Sequence, residues 1–558
     1  MSEPNFSNTV IADRLEAFAA LLELAEANAY SARAYRRAAE LARGLPTPLA
    51  ELVSAGRARE LRGIGPAIEA RLRELVTTGD IADLRELEES TSLELVGLGR
   101  YLGLGAKRAV ELGRALGIRT AEELRSAAAA GRLASAAGIG PKTEAKILEA
   151  LERPEAPGER RHLLLHRARA LVESIAAALD GEAAGDPRRW VDAPQRLAVV
   201  CSREDPRTVL EGLERLPELV AVVAREERRA VGVTVEGISV EIVAAHPRAF
   251  GTELLRATGS PAYVAALDPL PEAPDEASVY RLLGIPFCPP ELRERPFRGV
   301  PPPLVELTDL RGDLHCHTTW SDGRESVYEM GLAASERGYD YLAICDHSRA
   351  VSVVPGLDAD DLRRQMAEID EANERLAPFR LLKGSECDIL ADGTLDLPDD
   401  VLQELEWVMA SVHAGQRQSR EQLTARVLAA MENPSISAIS HPTGRLIDRR
   451  PANAVDLERV FEAAVETGTA LEVNGLPDRL DLRDEHVRAA IGSGVEIVVS
   501  TDAHSVRGLG NMRLAVATAR RGWATAPDVV NTQPLEALLA QRSASPRRPS
   551  SRGSGRVD

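Results

Sequence analysis

The chain has 558 residues, a net charge of −18, 44% hydrophobic residues and only 3% aromatic ones. That length exceeds one core and implies several domains packed on aliphatic side chains. No run of about 18 apolar residues exists, which excludes a helical membrane span. The start, MSEPNFSNTVIADRLEAF, lacks the basic and apolar segments of a secretion signal. Five scattered cysteines, Cys201, Cys288, Cys316, Cys345 and Cys387, argue against a disulfide framework and for a reducing, cytoplasmic setting. Of 68 basic residues only Lys107, Lys142, Lys146 and Lys383 are lysines. Arginine does not deprotonate, so amine chemistry has almost no candidates.

Residues 10–155 read as helices, with Leu15, Phe18, Leu21, Leu22 and Leu24 at helical spacing. The acidic balance disfavours nucleic acid in general. Residues 1–150, however, carry 20 Lys+Arg against 21 Asp+Glu and are near neutral. One pattern repeats three times there: LRGIGPAIEARLREL (61–75), YLGLGAKRAVELGRAL (101–116) and SAAGIGPKTEAKILEAL (135–151). Each copy is a Gly-containing turn followed by a helix whose first backbone N–H groups are free to bind a phosphate. Ordinary helix packing is the plain alternative. The repetition favours a helix-hairpin-helix clamp on the DNA backbone, with Gly63, Gly65, Gly103, Gly105, Lys107, Gly138, Gly140 and Lys142 as its contact residues.

Strand-like runs follow at 196–202, 219–225, 230–237 and 238–245, giving an α+β domain. RPFRGVPPPLVE (295–306) reads as a linker, and SASPRRPSSRGSGRVD (543–558) as a disordered tail. From 310 to 540, apolar runs of strand length repeatedly end on a metal-ligating residue. These are His315 and His317 (DLHCH), His347 (YLAICDH), Glu386 (FRLLKGSE), His413 (EWVMASVH), His441 (ISAISH), and Asp502 with His504 (VEIVVSTDAH). Alternation on a strand lets His315 and His317 face one ion. Six of the chain's ten histidines fall at these strand ends, which chance placement explains poorly. Asp322, in the loop after His317, is a ninth ligand. Strand–helix repeats with polar strand ends describe a (β/α) barrel with its site on one face. Nine ligands suit two or three divalent ions, Mn²⁺ or Zn²⁺, and clustered ions suit phosphoester hydrolysis. The three nearby cysteines, Cys316, Cys345 and Cys387, point the other way and pack.

DLHCHTTWSDG, ICDHS, GSECDI, SVHAG, SHPTGR and STDAH resemble the ordered motifs of the PHP (polymerase and histidinol phosphatase) family over about 230 residues. The resemblance implies a distorted (β/α)7 barrel, a trinuclear metal site and phosphoesterase chemistry, with Glu386 and the phosphate-binding candidate Arg445 as catalytic residues. With hairpins, an α+β domain and PPELRE (289–294) in front, the whole chain resembles bacterial family X DNA polymerases. The implied fold is multidomain: an all-α helix-hairpin-helix region, a nucleotidyltransferase-like palm and the barrel. Its expected boundaries are 1–85 and 86–155 (helical), 156–245 (palm), 246–295 (thumb-like), 296–309 (linker), 310–541 (barrel) and 542–558 (tail).

The family pattern places Gly-Ser-x-Arg-Arg, then Gly-Asp-x-Asp, then a third Asp in the palm. This chain reads GDPRRWVDAPQRLAVV from 185. Asp186 replaces the Ser, Arg196 and Ala198 replace the metal-binding pair, and only Glu241 retains an acid. A cation at a metal position repels the metal, so this is a degenerate polymerase site. Arg71 and Ala67 stand where a lyase amine is expected, and neither forms a Schiff base. The expectation is a DNA 3′-end phosphoesterase of DNA repair, a 3′–5′ exonuclease with 3′-phosphatase or abasic-site endonuclease as variants, cytoplasmic and associated with the nucleoid. Its partner is gapped, nicked or 3′-damaged DNA. An active polymerase with exonuclease, a small-molecule phosphatase and a non-enzymatic DNA scaffold are the alternatives.

Overall fold

A computed structural model describes residues 8–24, 29–43, 45, 48–61, 63–90, 92–104, 106–136, 139–152, 162–297, 299–351 and 354–544. Packing divides the chain into two compact units, Met1–Val300 and Pro301–Asp558.

In the first unit, the helices Asn8–Leu24 and Ala29–Arg43 meet through Phe18 and Tyr35, edge to face at 4.8 Å. The helix Pro66–Thr78 begins with Pro in its first turn and ends on the left-handed Gly79, as the fixed φ of Pro and the freedom of Gly favour. Leu84 packs into the same core as Leu72 and Leu75, so the helix Ala82–Ser90 runs straight through the expected 85/86 boundary. The helices Leu93–Tyr101, Ala121–Ala129 and Pro141–Glu152 build a second helical core. Val223 and Val231 of the following sheet belong to that core as well.

The sheet has strands β1 (Glu182–Gly185), β2 (Leu197–Ser202), β3 (Ala221–Arg225), β4 (Arg229–Val233) and β5 (Ser239–Ala245) in the order β1-β2-β5-β4-β3. Only β2 and β5 run parallel. Alternate residues face opposite sides. Val199 and Ile242 pack on the helix Leu165–Leu179, while Ala198 and Val243 pack on the helix Phe250–Thr258. The four-residue β1 is too short and too small-sided to show in the sequence.

The second unit is a parallel seven-stranded sheet in sequential order: β6 (Gly312–Cys316), β7 (Tyr341–Ile344), β8 (Arg380–Asp388), β9 (Trp407–Ser411), β10 (Ala438–Ile439), β11 (Ala470–Asn474) and β12 (Ile497–Ser500). A bridge between Cys316 and Ala503 brings β6 back beside β12, so the barrel is nearly closed. Helices between successive strands cover the outside. Trp407 and Met409 fill one face of β9, and Val408 and Ala410 the other. Part of the expected 296–309 linker is sewn into this unit: Leu304 bridges Thr525, and Val305 N–H donates to the Ala524 carbonyl. The helix Leu535–Ala544 extends into the expected tail; residues 545–558 lie outside the described residues.

Candidate metal centre and nucleic-acid interface

All nine residues singled out as ligands converge at the C-terminal ends of the barrel strands. His315 lies within β6 and Glu386 within β8; the others sit just beyond strand ends. Three groups have mutually close ligand atoms: His317, Asp322, His347 and His504; His315, His317 and Asp502; and His347, Glu386 and His413. His441 joins through Glu386, its Nε2 lying 2.9 Å from Oε1. Glu386, fully buried, also faces His347 Nδ1 at 2.9 Å and His315 Nε2 at 3.6 Å. His317 Nε2 lies 3.0 Å from Asp502 and 3.2 Å from His315 Nε2.

These approaches fit cations better than they fit hydrogen bonds. Two imidazole nitrogens 3.2 Å apart direct lone pairs at a common point. His347 Nδ1 and Glu386 Oε2 are close, yet neither finds a hydrogen-bond partner of proper alignment. His317 Nδ1 is buried without one as well. Imidazole and carboxylate together match the donor preferences of Zn and Mn.

The charges bias the protons strongly. Burial opposes protonation of His315, but Glu472, Asp502 and Glu386 outweigh it and raise its pKa well above the usual value. Burial and the neighbouring His504 and His347 push His317 down to about 4. Burial disfavours the Asp322 carboxylate, but His504 dominates and takes it down to about 2; reciprocally, His504 rises to about 9. Two of the candidate ligands, His441 (φ 27°) and Asp502 (φ 52°), occupy the left-handed backbone region, which non-glycine residues adopt at a strain often found at functional sites.

Two important residues escaped the sequence reading. Glu472, in the middle of β11, is fully buried and places Oε1 2.7 Å from His315 Nδ1. It reads as an isolated acid in ALEVN; only its phase on the strand could have singled it out. Arg479 lies in the loop after β11, 14% exposed, with Nε 4.0 Å from Asp502 Oδ2. Its Nε and Nη1 have no hydrogen-bond partner. Burial first, and the Arg479 charge next, lower the pKa of His441. Arg445 instead donates from Nη2 to the Leu480 carbonyl at 2.5 Å, and Arg449 pairs with Asp478 at 3.2 Å, 71% exposed. Both arginines brace the loop that carries Arg479.

The hairpin glycines show a second kind of site. Gly63 (φ 106°) and Gly103 (φ 70°) are exposed turns that need glycine's freedom. At Gly65 and Gly140 the backbone is ordinary, and an added Cβ would meet nothing within 4 Å. The protein's own packing therefore does not demand glycine there. Lys107 and Lys142 are exposed near the starts of their helices. Gly105 and Gly138 lie outside the described residues.

In the palm-like sheet, Ala198 pairs in register with Glu241, so the third acid faces a methyl group. Asp186 accepts Gln195 N–H and Arg196 N–H, both at 2.8 Å, and Arg189 at 2.9 Å. Arg188 forks onto Glu276 at 2.9 and 2.8 Å. Arg196 donates to the Gly259 carbonyl at 3.0 Å, and Glu241 is paired with Arg229 at 2.6 Å.

Comparison with known proteins agrees with this architecture. Residues 6–81 match the family described as Helix-hairpin-helix domain, and 101–153 match SAM-like Helix-hairpin-helix tandem. A "Probable phosphatase" of Acetivibrio thermocellus is 33% identical over 34% of this chain and 78% of its own length. Another from Syntrophotalea carbinolica is 33% identical over 29% of this chain and 64% of its own. The "DNA polymerase/3'-5' exonuclease PolX" of Bacillus subtilis is 34% identical over 94% of this chain and 97% of its own length. With hairpins, palm-like sheet and PHP-type barrel in one order and one near-full-length relative, this chain belongs to the PolX family of DNA polymerase/3′–5′ exonucleases.

Proposed function

We propose that this chain is a metal-dependent phosphoesterase that trims DNA 3′ ends in repair, acting as a 3′–5′ exonuclease with an inactive polymerase site. The observation that carries this reading is the contrast between the two units. Nine ligand candidates converge in the barrel. The palm's metal positions hold Arg196 and Ala198.

His315, His317, Asp322, His347, Glu386, His413, His441, Asp502 and His504 would hold two or three divalent ions, Mn²⁺ or Zn²⁺. Such ions supply an acidified water and positive charge for the phosphoryl oxygens. Glu386, within 4 Å of five of these histidines, would be the central carboxylate ligand of the set. Glu472 fixes the tautomer and direction of His315. Arg479, with two unsatisfied N–H-bearing nitrogens beside Asp502, receives a phosphate oxygen of the substrate. Arg445, first read as catalytic, supports that loop. The hairpin turns hold the DNA backbone through peptide N–H groups and Lys107 and Lys142, which suits a near-neutral region. Gapped, nicked or 3′-damaged DNA presents the end that such a grip and barrel would serve.

The palm argues against templated synthesis on two counts. The paired metal-binding carboxylates are missing, and Arg188 and Arg189, which match the family's Arg-Arg, are already committed to Glu276 and Asp186. A 5′-labelled gapped primer–template incubated with Mn²⁺, with and without nucleotides, tests both claims. Shortening that His315→Ala/His317→Ala abolishes, with no extension in any lane, is the expected result. Extension that survives the double variant would overturn the reading of the palm. Intact primer in every lane would favour a small-molecule phosphatase.

A further inference from the structure

Five buried carboxylates of the barrel belong to no ligand group, yet each accepts the backbone N–H of a ligand or of a residue one or two positions from it. Asp313 accepts Thr501 N–H at 3.2 Å, next to Asp502. Asp346 accepts Thr318 N–H at 2.8 Å, next to His317. Asp388 accepts His413 N–H at 3.1 Å, and Glu472 accepts His441 N–H at 2.5 Å. Asp481 accepts Thr443 N–H at 3.0 Å, two residues past His441. All five are at most 1% exposed. A backbone donor released at the end of a buried strand needs an acceptor. Here it finds a charged one, which makes a stronger and more directional bond than a carbonyl.

Asp346 has the fullest set. Its Oδ1 takes Thr318 N–H and the Ser321 hydroxyl. Its Oδ2 takes the Thr318 hydroxyl at 2.6 Å and Gln365 Nε2 at 2.5 Å. Gln365 stands on the helix Ala359–Leu376, so the loop 318–322 is tied to a rigid element through one carboxylate. That loop carries Asp322, beyond the end of β6 at Cys316, between His347 at 3.6 Å and His504 at 3.3 Å. With both oxygens spent on these donors, Asp346 holds the loop although it adjoins the ligand His347.

We propose that Asp346 is a positioning residue for metal binding: its carboxylate closes the 318–322 loop and so sets the affinity of the subsite formed by His317, Asp322, His347 and His504. The other four acids repeat the device around the barrel. The proposal rests on the metal reading above, and the experiment separates the two. Full-length wild type, Asp346→Asn, Thr318→Val and the double variant are freed of metal with chelator and titrated with Co²⁺ alone. Bound ions per chain are measured by elemental analysis and site geometry by the visible Co²⁺ absorption.

Each single variant should bind its weakest ion about 10–100-fold less tightly, the range seen when outer-shell partners of metal ligands are removed. The corresponding absorption should be lost while the circular dichroism stays unchanged. The double variant should lose less than the sum of the two single losses, because both changes break the Thr318 hydroxyl bond to Asp346. Wild-type Co²⁺ binding in Asp346→Asn, or strictly additive losses, would overturn the assignment. If Asp346→Asn fails to fold, Thr318→Val carries the test, since it keeps the charge and removes only a hydroxyl; wild-type binding there would overturn it too. A wild-type chain that takes up no Co²⁺ would overturn the metal reading, and this inference with it.

Discussion

Glu472 Oε1 sits 2.7 Å from His315 Nδ1, while the opposite nitrogen of the same ring faces Glu386 and Asp502 at 3.6 and 3.8 Å. The carboxylate thus claims one edge of the imidazole and leaves Nε2 for the cluster. It also holds the Ser440 and Ser500 hydroxyls and the His441 N–H, so three ligand-bearing strands depend on it. Glu472→Gln keeps the shape and removes the charge. It should weaken the metal bound through His315 by about 10–100-fold. Nuclease activity should fall at limiting Mn²⁺ and recover in part at saturating Mn²⁺. A metal titration of the two proteins checks this.

How far the sequence announced this arrangement depends on what each residue has to show. Histidines at the ends of apolar runs are conspicuous, since nothing in a barrel's packing asks for imidazole there. Glu472 and Asp346 are not conspicuous: acids are common, and their role appears only when neighbouring strands are laid side by side. Arg479 was hidden among 64 arginines, and its importance comes from loop geometry. β1 was too short to carry a pattern, whereas the two-residue β10 showed itself through the run ISAISH that ends on His441. The helix across 85/86 follows from Leu84 packing into the first core, a long-range contact that local composition does not encode.

Arg479 invites a direct test. Its Nε and Nη1 are unsatisfied beside the cluster, so a substrate phosphate is the natural acceptor. Arg479→Ala should raise KM or lower kcat/KM on DNA by about 10–100-fold, equivalent to the roughly 1.5–3 kcal/mol of a charge-assisted hydrogen bond. Metal content should remain that of the wild type. Arg445→Ala should have a smaller effect, through the loop. A larger loss in Arg445→Ala than in Arg479→Ala would place the phosphate contact on Arg445.

Asp186 offers a stability prediction with an unusual direction. Asp186→Ser restores the residue expected of a working palm, yet the carboxylate it removes satisfies Gln195 N–H, Arg196 N–H and Arg189. A serine cannot reach all three donors. The variant should be less stable by about 1–3 kcal/mol, the penalty of orphaning buried polar groups, and should gain no polymerase activity. Denaturant unfolding and a primer-extension assay read the two outcomes.

Asp13 links the helical region to pH. It pairs with Arg43 at 2.6 Å, but burial dominates and pushes its pKa up from 3.8 to about 7, with Glu236 and Glu218 adding to the rise. Between these values the fold holds a proton that the unfolded chain has released. The stabilisation is therefore present at the acid end and is lost as pH rises through about 7. Asp13→Asn should be close to neutral at pH ~3.5 and should stabilise the chain at pH ~8, by on the order of 2–4 kcal/mol. Thermal unfolding of both proteins at the two pH values decides it; a difference independent of pH would assign the proton elsewhere.

The hairpin glycines separate folding from DNA contact. Gly65 precedes the helix Pro66–Thr78 with φ −85° and ψ 173°, a conformation any residue adopts, and Gly140 likewise has room for a side chain. Gly65→Ala and Gly140→Ala should leave stability within about 0.5 kcal/mol of wild type. If a DNA phosphate approaches those turns, the added methyl group blocks it. Binding to gapped duplex should then weaken about tenfold per hairpin, with a shallower dependence on salt as phosphate contacts are lost. Alanine variants that unfold normally and bind DNA with wild-type affinity would show that these two turns do not touch the backbone. The grip would then have to rest on the positive-φ turns at Gly63 and Gly103.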